Sequence, residues 1–550
     1  MQTEVVPRFK SSSAKLQRAF LLPFVLCKQK IERMVKMVIK VLLLVVFFSL
    51  MVGIGIYCRK SATDVNGFVL GGRNVGPWLT AFAYGTSYFS AVIFIGYAGQ
   101  FGWKYGIAST WIGIGNAILG SLLAWVVLGR RTRIMTQTLG TSTMPEFFEK
   151  RYGSKALKVV ASAITFIFLI PYTASLYNGL SRLFEMAFGI DYMWCVIGMS
   201  VLTGIYVIAG GYMATAISDF IQGIIMLVGI VAVIGAVLSS HGGFIGSLNE
   251  LAAVPVPEAA GPAAAPGAFA SMFGPDPLNL LGVVILTSLG TWGLPQMVQK
   301  FYAIKSEKAI SRGTIISTIF AVIVAGGCYF LGGFARISGV EAVDGVPVGG
   351  FDTVIPKMLE GLPDLLMAVV IVLVLSASMS TLSSLVLASS STLTLDFVKG
   401  NIAKNMTEKK QVSIMRVFIV VFIVISAVIA IFQHKSEGGA VAFIAQLMGV
   451  SWGALAGAFL APFLYGLYAK WVTKAACWVS MIFGAGIMIV NLLFRSSFPV
   501  LLQSPINCGA FAMIVGLILV PVISLITKKP DKAITDKAFD DIKKRLAEEA

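Results

Sequence analysis

Thirteen predominantly apolar runs divide the chain, at roughly 37–58, 76–100, 107–128, 156–188, 191–210, 214–239, 278–298, 313–335, 363–391, 412–433, 440–468, 472–494 and 507–527. Each approaches the about 20 residues a helix needs to cross the hydrocarbon of a bilayer. Short hydrophilic gaps separate them. The pattern predicts an all-α, polytopic membrane protein of about 13 transmembrane helices. Lys and Arg sort the gaps: Arg59, Lys60 and Arg73; Arg130, Arg131, Arg133, Lys150 and Arg151; Lys300, Lys305, Lys308 and Arg312; Lys399, Lys404, Lys409 and Lys410; Lys470 and Lys474; and the tail from Lys528. Alternate gaps are poor in basic residues. Since basic residues concentrate in cytoplasmic loops, the N-terminus is expected outside and the C-terminus in the cytoplasm. An inner, or plasma, membrane is the expected location.

Composition agrees. The chain is 57% hydrophobic and 13% charged, against about 25% charged residues in soluble domains. The net charge of +17 therefore reads as orientation rather than as a nucleic-acid surface. Cys27, Cys58, Cys195, Cys328, Cys477 and Cys508 stand singly, and His241 and His434 fall in outer gaps. Neither a disulfide framework, a metal centre nor an enzyme is indicated.

Residues 1–36 break the charge rule with Arg8, Lys10, Lys15, Arg18, Lys28, Lys30, Arg33 and Lys36 on the expected outer side. Two readings stand: a natural start at Met34 or Met37, or an interfacial amphipathic arm or uncleaved targeting segment. The gaps 240–276, with its Ala/Pro/Gly-rich piece, and 337–362, which is acidic, read as flexible outer connections. The tail 528–550 reads as a short charged helix.

The apolar pattern is interrupted where lipid would forbid it. The second run carries Gly85-Thr86-Ser87 and Ser90 at mid-membrane, and the seventh carries Thr287-Ser288-Leu289-Gly290-Thr291-Trp292-Gly293-Leu294-Pro295. Irregular backbone survives at membrane depth only where protein or a cavity surrounds it. The two interruptions lie five runs apart, at equivalent places in two five-helix blocks, 76–239 and 278–468. A matched pair of broken helices is the pattern of an inverted-repeat transporter with its site at the midplane. Close helix packing through Gly and Ser is the competing reading.

Two clusters add chemistry. Asp219 lies about one and a half turns inside an apolar run. It is either a functional intramembrane carboxylate or an interfacial one that snorkels. In Ser376-Ala-Ser-Met-Ser-Thr-Leu-Ser-Ser384, residues Ala377, Ser380, Thr381 and Ser384 share one helical face. Such oxygens suit a hard cation like sodium, or else bond their own helix or a neighbour.

With these motifs the chain resembles the sodium/solute symporter family from about residue 37 to 527. Tyr172 to Gly189, Gly210-Gly211 followed by Ser218-Asp219-Phe-Ile-Gln222, and Met379-Ser-Thr-Leu-Ser383 look like its sodium/proline branch. Lys104-Tyr-Gly106, and Leu294-Pro295 with Arg312-Gly313, look like its sodium/pantothenate branch. The resemblance implies a five-plus-five inverted-repeat fold, each repeat starting with a broken helix, with an extra N-terminal helix at 37–58 and two C-terminal ones within 472–527. It implies Na+ as the coupling ion. A first sodium site would use carbonyls of Thr86, Phe89 and Ala377 with hydroxyls of Ser380 and Thr381. A second, present only in some members, would use Asp219 with Ser380, Ser383 and Ser384. The solute pocket would draw on Tyr88, Ser90, Tyr172, Asn178, Thr291, Trp292, Gln296 and Gln446. Tyr88 stands where the proline branch has an Asp, which sets proline in doubt as the cargo.

The expected function is sodium-coupled import of a small organic solute, an amino acid or a carboxylate such as pantothenate, by alternating access. A membrane solute sensor and a proton-coupled transporter of the same fold are the alternatives. The solute and the bilayer are the expected partners, with no nucleic acid and no obligate protein partner.

Overall fold

The computed structural model describes residue 38 and residues 41–549, except 344 and 436–443. The basic extension 1–36 lies outside the described residues. The chain divides into two units, 1–49 and 50–550. In the first, the described residues are helical. The second carries everything that follows.

Among the described residues ten helices are long and apolar enough to cross a membrane, or eleven if a bent pair counts as one span. The expected count of thirteen is thus not confirmed. Two of the ten, Val92–Thr138 and Tyr192–Ser240, run for 47 and 49 residues, far beyond the about 20 that a bilayer requires. Each covers more than one apolar run. Inside the first, Gly106 has φ +60° and ψ −141°, and inside the second, Gly211 has φ +55° and ψ −147°. These are backbone states that only glycine adopts without strain. At Gly211 a Cβ would also stand 2.8 Å from the carbonyl oxygen of Phe68. Sequence periodicity sees two runs there because the chain changes direction at one residue.

The helices are apolar on the outside as well as within. On Glu408–Lys435, Val417, Val420, Val421, Val424 and Val428 form an exposed stripe at helical spacing. In water such a patch would be an aggregation hazard; against lipid it is the correct solvent.

The two broken helices set the centre of the fold. Helix Pro77–Tyr88 ends at Phe89, which is extended (φ −88°, ψ 116°). Helix Pro277–Leu289 passes through a turn at Gly290–Trp292 to an extended Leu294 (φ −86°, ψ 120°), and Pro295–Ala303 follows with a 40° bend. Val75 donates to Ala303 O at 3.1 Å and accepts from Lys305 N at 3.0 Å. The start of one broken helix therefore lies beside the end of the other. Both pack on the serine-rich helix Asp364–Thr392.

Close packing depends on paired glycines. A Cβ on Gly102 would stand 1.9 Å from Gly332 O, and one on Gly484 would stand 2.2 Å from Gly457 C. Small residues let helix backbones approach this closely.

The outer connections are more structured than their composition predicts. Residues 240–276 include helix Gly243–Ala253, and Phe269 is buried against Gly106, where a Cβ would meet Phe269 O at 2.0 Å. One aromatic anchor outweighs the flexible composition around it. The acidic 337–362 stretch forms a two-stranded ribbon, Ala342–Val343 with Val346–Pro347, and helix Val354–Leu359. Trp103 Nε1 ties the ribbon down through Gly345 O at 2.9 Å. At the opposite end the tail helix Lys532–Glu549 lies on helix Arg130–Thr138. Arg545 reaches Gln137 at 2.8 Å and Glu307 at 3.6 Å, Thr138 bonds Asp541, and Lys470 pairs with Asp536 at 2.7 Å.

Two outcomes follow from this packing. Gly102→Ala overpacks a backbone contact and is expected to cost about 1–3 kcal/mol, lowering the melting temperature of the detergent-solubilised protein. Gly53→Ala, with nothing within 4 Å of the new Cβ, leaves it unchanged or higher. For the tail, the hydrogen bond from Lys470 holds Asp536 below its ordinary value of 3.8 and lifts Lys470 above 10.5. A depressed carboxylate stabilises above its unfolded pKa and releases as pH falls through its lower folded one. A raised lysine releases only as pH climbs through its higher value. A spin label at Ala547→Cys should keep one mobility between those limits and loosen below pH 3.8; loosening near pH 6 would contradict the pairing.

Candidate functional site

A helix leaves its last carbonyls without intrahelical partners. Pro77–Tyr88 stops in the protein interior, so its freed carbonyls must find partners there. They meet the hydroxyl face of the serine-rich helix. Thr381 Oγ1 lies 3.2 Å from Thr86 O, 3.5 Å from Phe89 O and 3.1 Å from Ala377 O. Ser380 Oγ lies 3.3 Å from Thr86 O and 3.2 Å from Ala377 O. All five residues of the expected first sodium site are thus brought together, and all are buried. The hydroxyls do bond their own helix at Ala377, yet they also reach across to the broken one. Five neutral oxygens from two helices make a donor set that fits a hard monovalent cation and carries no charge of its own.

Asp219 is fully buried, which removes the snorkelling reading. Among the described residues neither of its carboxylate oxygens has a hydrogen-bond partner. Tyr206, on the same long helix, donates to Met379 O of the serine-rich helix at 3.0 Å. Ser383 Oγ bonds Ser380 O at 2.9 Å, and Ser384 Oγ lies 2.8 Å from Ser87 Oγ of the first broken helix.

Lys300 is the surprise of this region. The sequence reading counts it as a cytoplasmic loop charge. Instead it lies inside helix Pro295–Ala303, 2% exposed, and donates to Ser384 Oγ at 3.0 Å. Its ammonium also stands 5.2 Å from the ring centre of Tyr212, on the helix that carries Asp219. Arg151 is a second such case, fully buried with bonds to Gly466 O at 2.8 Å and Ala469 O at 2.7 Å.

The candidate solute residues fall into three groups. Tyr88, Ser90 and Tyr172 gather around Trp452, which the sequence reading missed. Tyr88 stacks on Trp452 with ring centres 6.0 Å apart, and Tyr172 meets it edge-on at 5.9 Å. Gly290 of the second broken helix faces the same indole, where a Cβ would come within 2.9 Å. The Tyr172 hydroxyl faces Ser90 and the Trp452 N–H. Among the described residues none of these three polar atoms completes a hydrogen bond, and neither amide atom of the buried Gln296 does. Buried polar atoms without partners are costly, and those of Ser90, Tyr172 and Trp452 lie together. The one hint in the sequence is a lone Trp amid the small residues of Gly449-Val-Ser-Trp-Gly453.

Thr291 and Trp292 form the second group. Their side chains are committed to the helix beside them, Thr291 Oγ1 to Gly120 O at 3.1 Å and Trp292 Nε1 to Leu119 O at 2.9 Å. Asn178 and Gln446 stand apart from both groups. Asn178 accepts from Tyr192, which stacks on His434 at 4.0 Å. Gln446 accepts from Arg495 at 3.0 Å in a separate cavity of 540 Å³, lined also by Lys104, Asp276 and Arg336. Burial pulls Arg336 down to about 10, so it remains a cation at neutral pH.

Comparison with known proteins gives the same picture. Residues 68–484 match the sodium:solute symporter family. The sodium/proline symporter of Staphylococcus aureus strain JH9 is 29% identical over 513 residues, covering 89% of this chain and 93% of that protein. The same protein of strain NCTC 8325 / PS 47 matches equally. A Na+-coupled sialic acid symporter, solved substrate-bound and outward-open, superposes with a TM-score of 0.69 at 17% identity, over 90% of this chain and 98% of that one. The match to the family spans well over half the sequence and includes both broken helices, the serine-rich helix and Asp219. The chain belongs to the sodium:solute symporter family.

Proposed function

We propose that this protein imports a small organic solute together with sodium by alternating access, and that Thr86, Phe89, Ala377, Ser380 and Thr381 hold the ion. One observation carries the reading: five oxygens from two helices converge where the first broken helix ends. An ion there bridges the broken helix to the serine-rich one, favours the outward-open state and steadies the adjoining pocket before solute binds. The set has no net charge, so each ion entering it brings one positive charge through the membrane field, about 2.3 kcal/mol per 100 mV. The set built from Asp219, Ser380, Ser383 and Ser384 is the place of a second positive charge.

The solute occupies the space beside Tyr88, Ser90, Tyr172 and Gln296, against Trp452. A carboxylate-bearing solute, amino acid or small organic acid, fits the outer cavity best. There Lys104, Arg336 and Arg495 outnumber Asp276 and raise the local concentration of anions. Gln446, in that cavity, meets the solute on entry. The protein sits in the plasma membrane, N-terminus outside and C-terminus in the cytoplasm, where the basic gaps accumulate.

A thermal-shift screen of the purified protein in sodium against potassium tests coupling and cargo together, because a ligand that binds only the folded state raises the melting temperature. Sodium is expected to stabilise where potassium does not, and a carboxylate solute to add to that only in sodium. Ser380→Ala and Thr381→Ala should each raise the sodium concentration for half-effect by about tenfold, ~1.4 kcal/mol. Equal stabilisation by both cations, or unchanged sodium dependence in both variants, sinks the assignment.

A further inference from the structure

The second cation set contains more than oxygens. Ser384 Oγ already accepts from the Lys300 ammonium at 3.0 Å and shares a proton with Ser87 Oγ at 2.8 Å. A hydroxyl has one proton and two lone pairs, so little of it is left for an ion. Asp219 is fully buried, and among the described residues its two oxygens have no hydrogen-bond partner. A carboxylate at membrane depth persists when a positive charge compensates it. The positive charge in this region belongs to Lys300, whose ammonium lies 5.2 Å from the ring of Tyr212, on the same helix as Asp219.

Lys300 has matching spare capacity. An ammonium carries three donors on a flexible four-carbon stem. Among the described residues its one hydrogen bond goes to Ser384, and the Tyr212 ring face lies on another side at 5.2 Å. Lys300 thus keeps unspent donors, and Asp219 unspent acceptors, in the same buried region. A free sodium entering between them would have an ammonium as a neighbour, and like charges repel strongly where water is excluded. Asp219 and Lys300 together are neutral without any imported ion, whereas the five-oxygen set has no cation of its own.

We propose that the Lys300 ammonium is a tethered counter-ion filling the place where Asp219, Ser383 and Ser384 would hold a second sodium, so that one sodium travels per cycle. This rests on the first-site reading above. Lys300 sits on the second broken helix, Ser384 on the serine-rich helix and Asp219 on the 192–240 helix. The tethered charge thus joins three elements that a mobile ion would otherwise join.

Counting ions decides the matter. Equilibrium binding of radioactive sodium to the purified full-length protein, at constant ionic strength in potassium, is expected to saturate at one ion per chain with a Hill coefficient near one. Lys300→Gln, which keeps a polar side chain but removes the charge, should saturate at two. Lys300→Gln combined with Asp219→Asn should return to one, and Lys300→Arg should stay at one. Two ions per native chain would overturn the proposal while leaving the first site intact. A single ion in monodisperse Lys300→Gln protein would also overturn it. No ion on the native chain would instead remove the first site, and this proposal with it. Should Lys300→Gln fail to fold, the native count and that of Lys300→Arg still discriminate, since two ions in either is incompatible with a tethered cation.

Discussion

A carbonyl stripped of its helical partner in the middle of a membrane has to be satisfied by something other than water, and much of this molecule answers to that constraint. Helix Pro77–Tyr88 stops at Phe89, and the carbonyls it frees are met by hydroxyls of a second helix. The serine-rich helix must lie against the break for this to happen, so its packing partners are set as well. Tyr206 holds it through Met379 O. The start of the first broken helix is tied to the end of the second at Val75 and Ile304. The convergence of oxygens at the break and the packing of the core are one arrangement seen from two sides.

Charge obeys the same rule at greater cost. Taking an ion out of water is repaid only by a close partner or a full set of hydrogen bonds. Arg151 has its carbonyls at Gly466 and Ala469. Lys300 has one hydroxyl and an aromatic face, and among the described residues Asp219 has no hydrogen-bonded partner. Incomplete satisfaction of this kind is tolerable in a machine whose helices must part and rejoin, because a perfectly paired group would resist being moved.

Sequence reading recovers what depends on local pattern. The apolar runs, both interruptions and the shared face of Ala377, Ser380, Thr381 and Ser384 follow from periodicity and from residues that break it. What depends on a partner far along the chain is not visible. Lys300 closes a stretch of polar residues and precedes a basic gap, so it reads as a loop charge until the second broken helix is seen to carry it inward. Trp452 looks like one apolar residue among many until Tyr88, Tyr172 and Gly290 converge on it. Asn178 looks available until Tyr192, on the next helix, takes it. Phe269 anchors a connection whose composition promises none. The count of spans is left open for a related reason: at one glycine, Gly211, the chain changes direction between two apolar runs with no loop to separate them.

The tail helix has a bearing on how the protein behaves in different solutions. Its contacts with Lys470, Gln137 and Glu307 run through side chains that are partly open to solvent, Lys470 at 39% and Asp536 at 50% exposure. Pairs of this kind weaken as dissolved salt shortens the reach of each charge, to about 8 Å at physiological ionic strength and about 3 Å at 1 M. The clasp on this end of the molecule is therefore set by the electrolyte around it, and a preparation in concentrated salt holds the same fold with a looser rim.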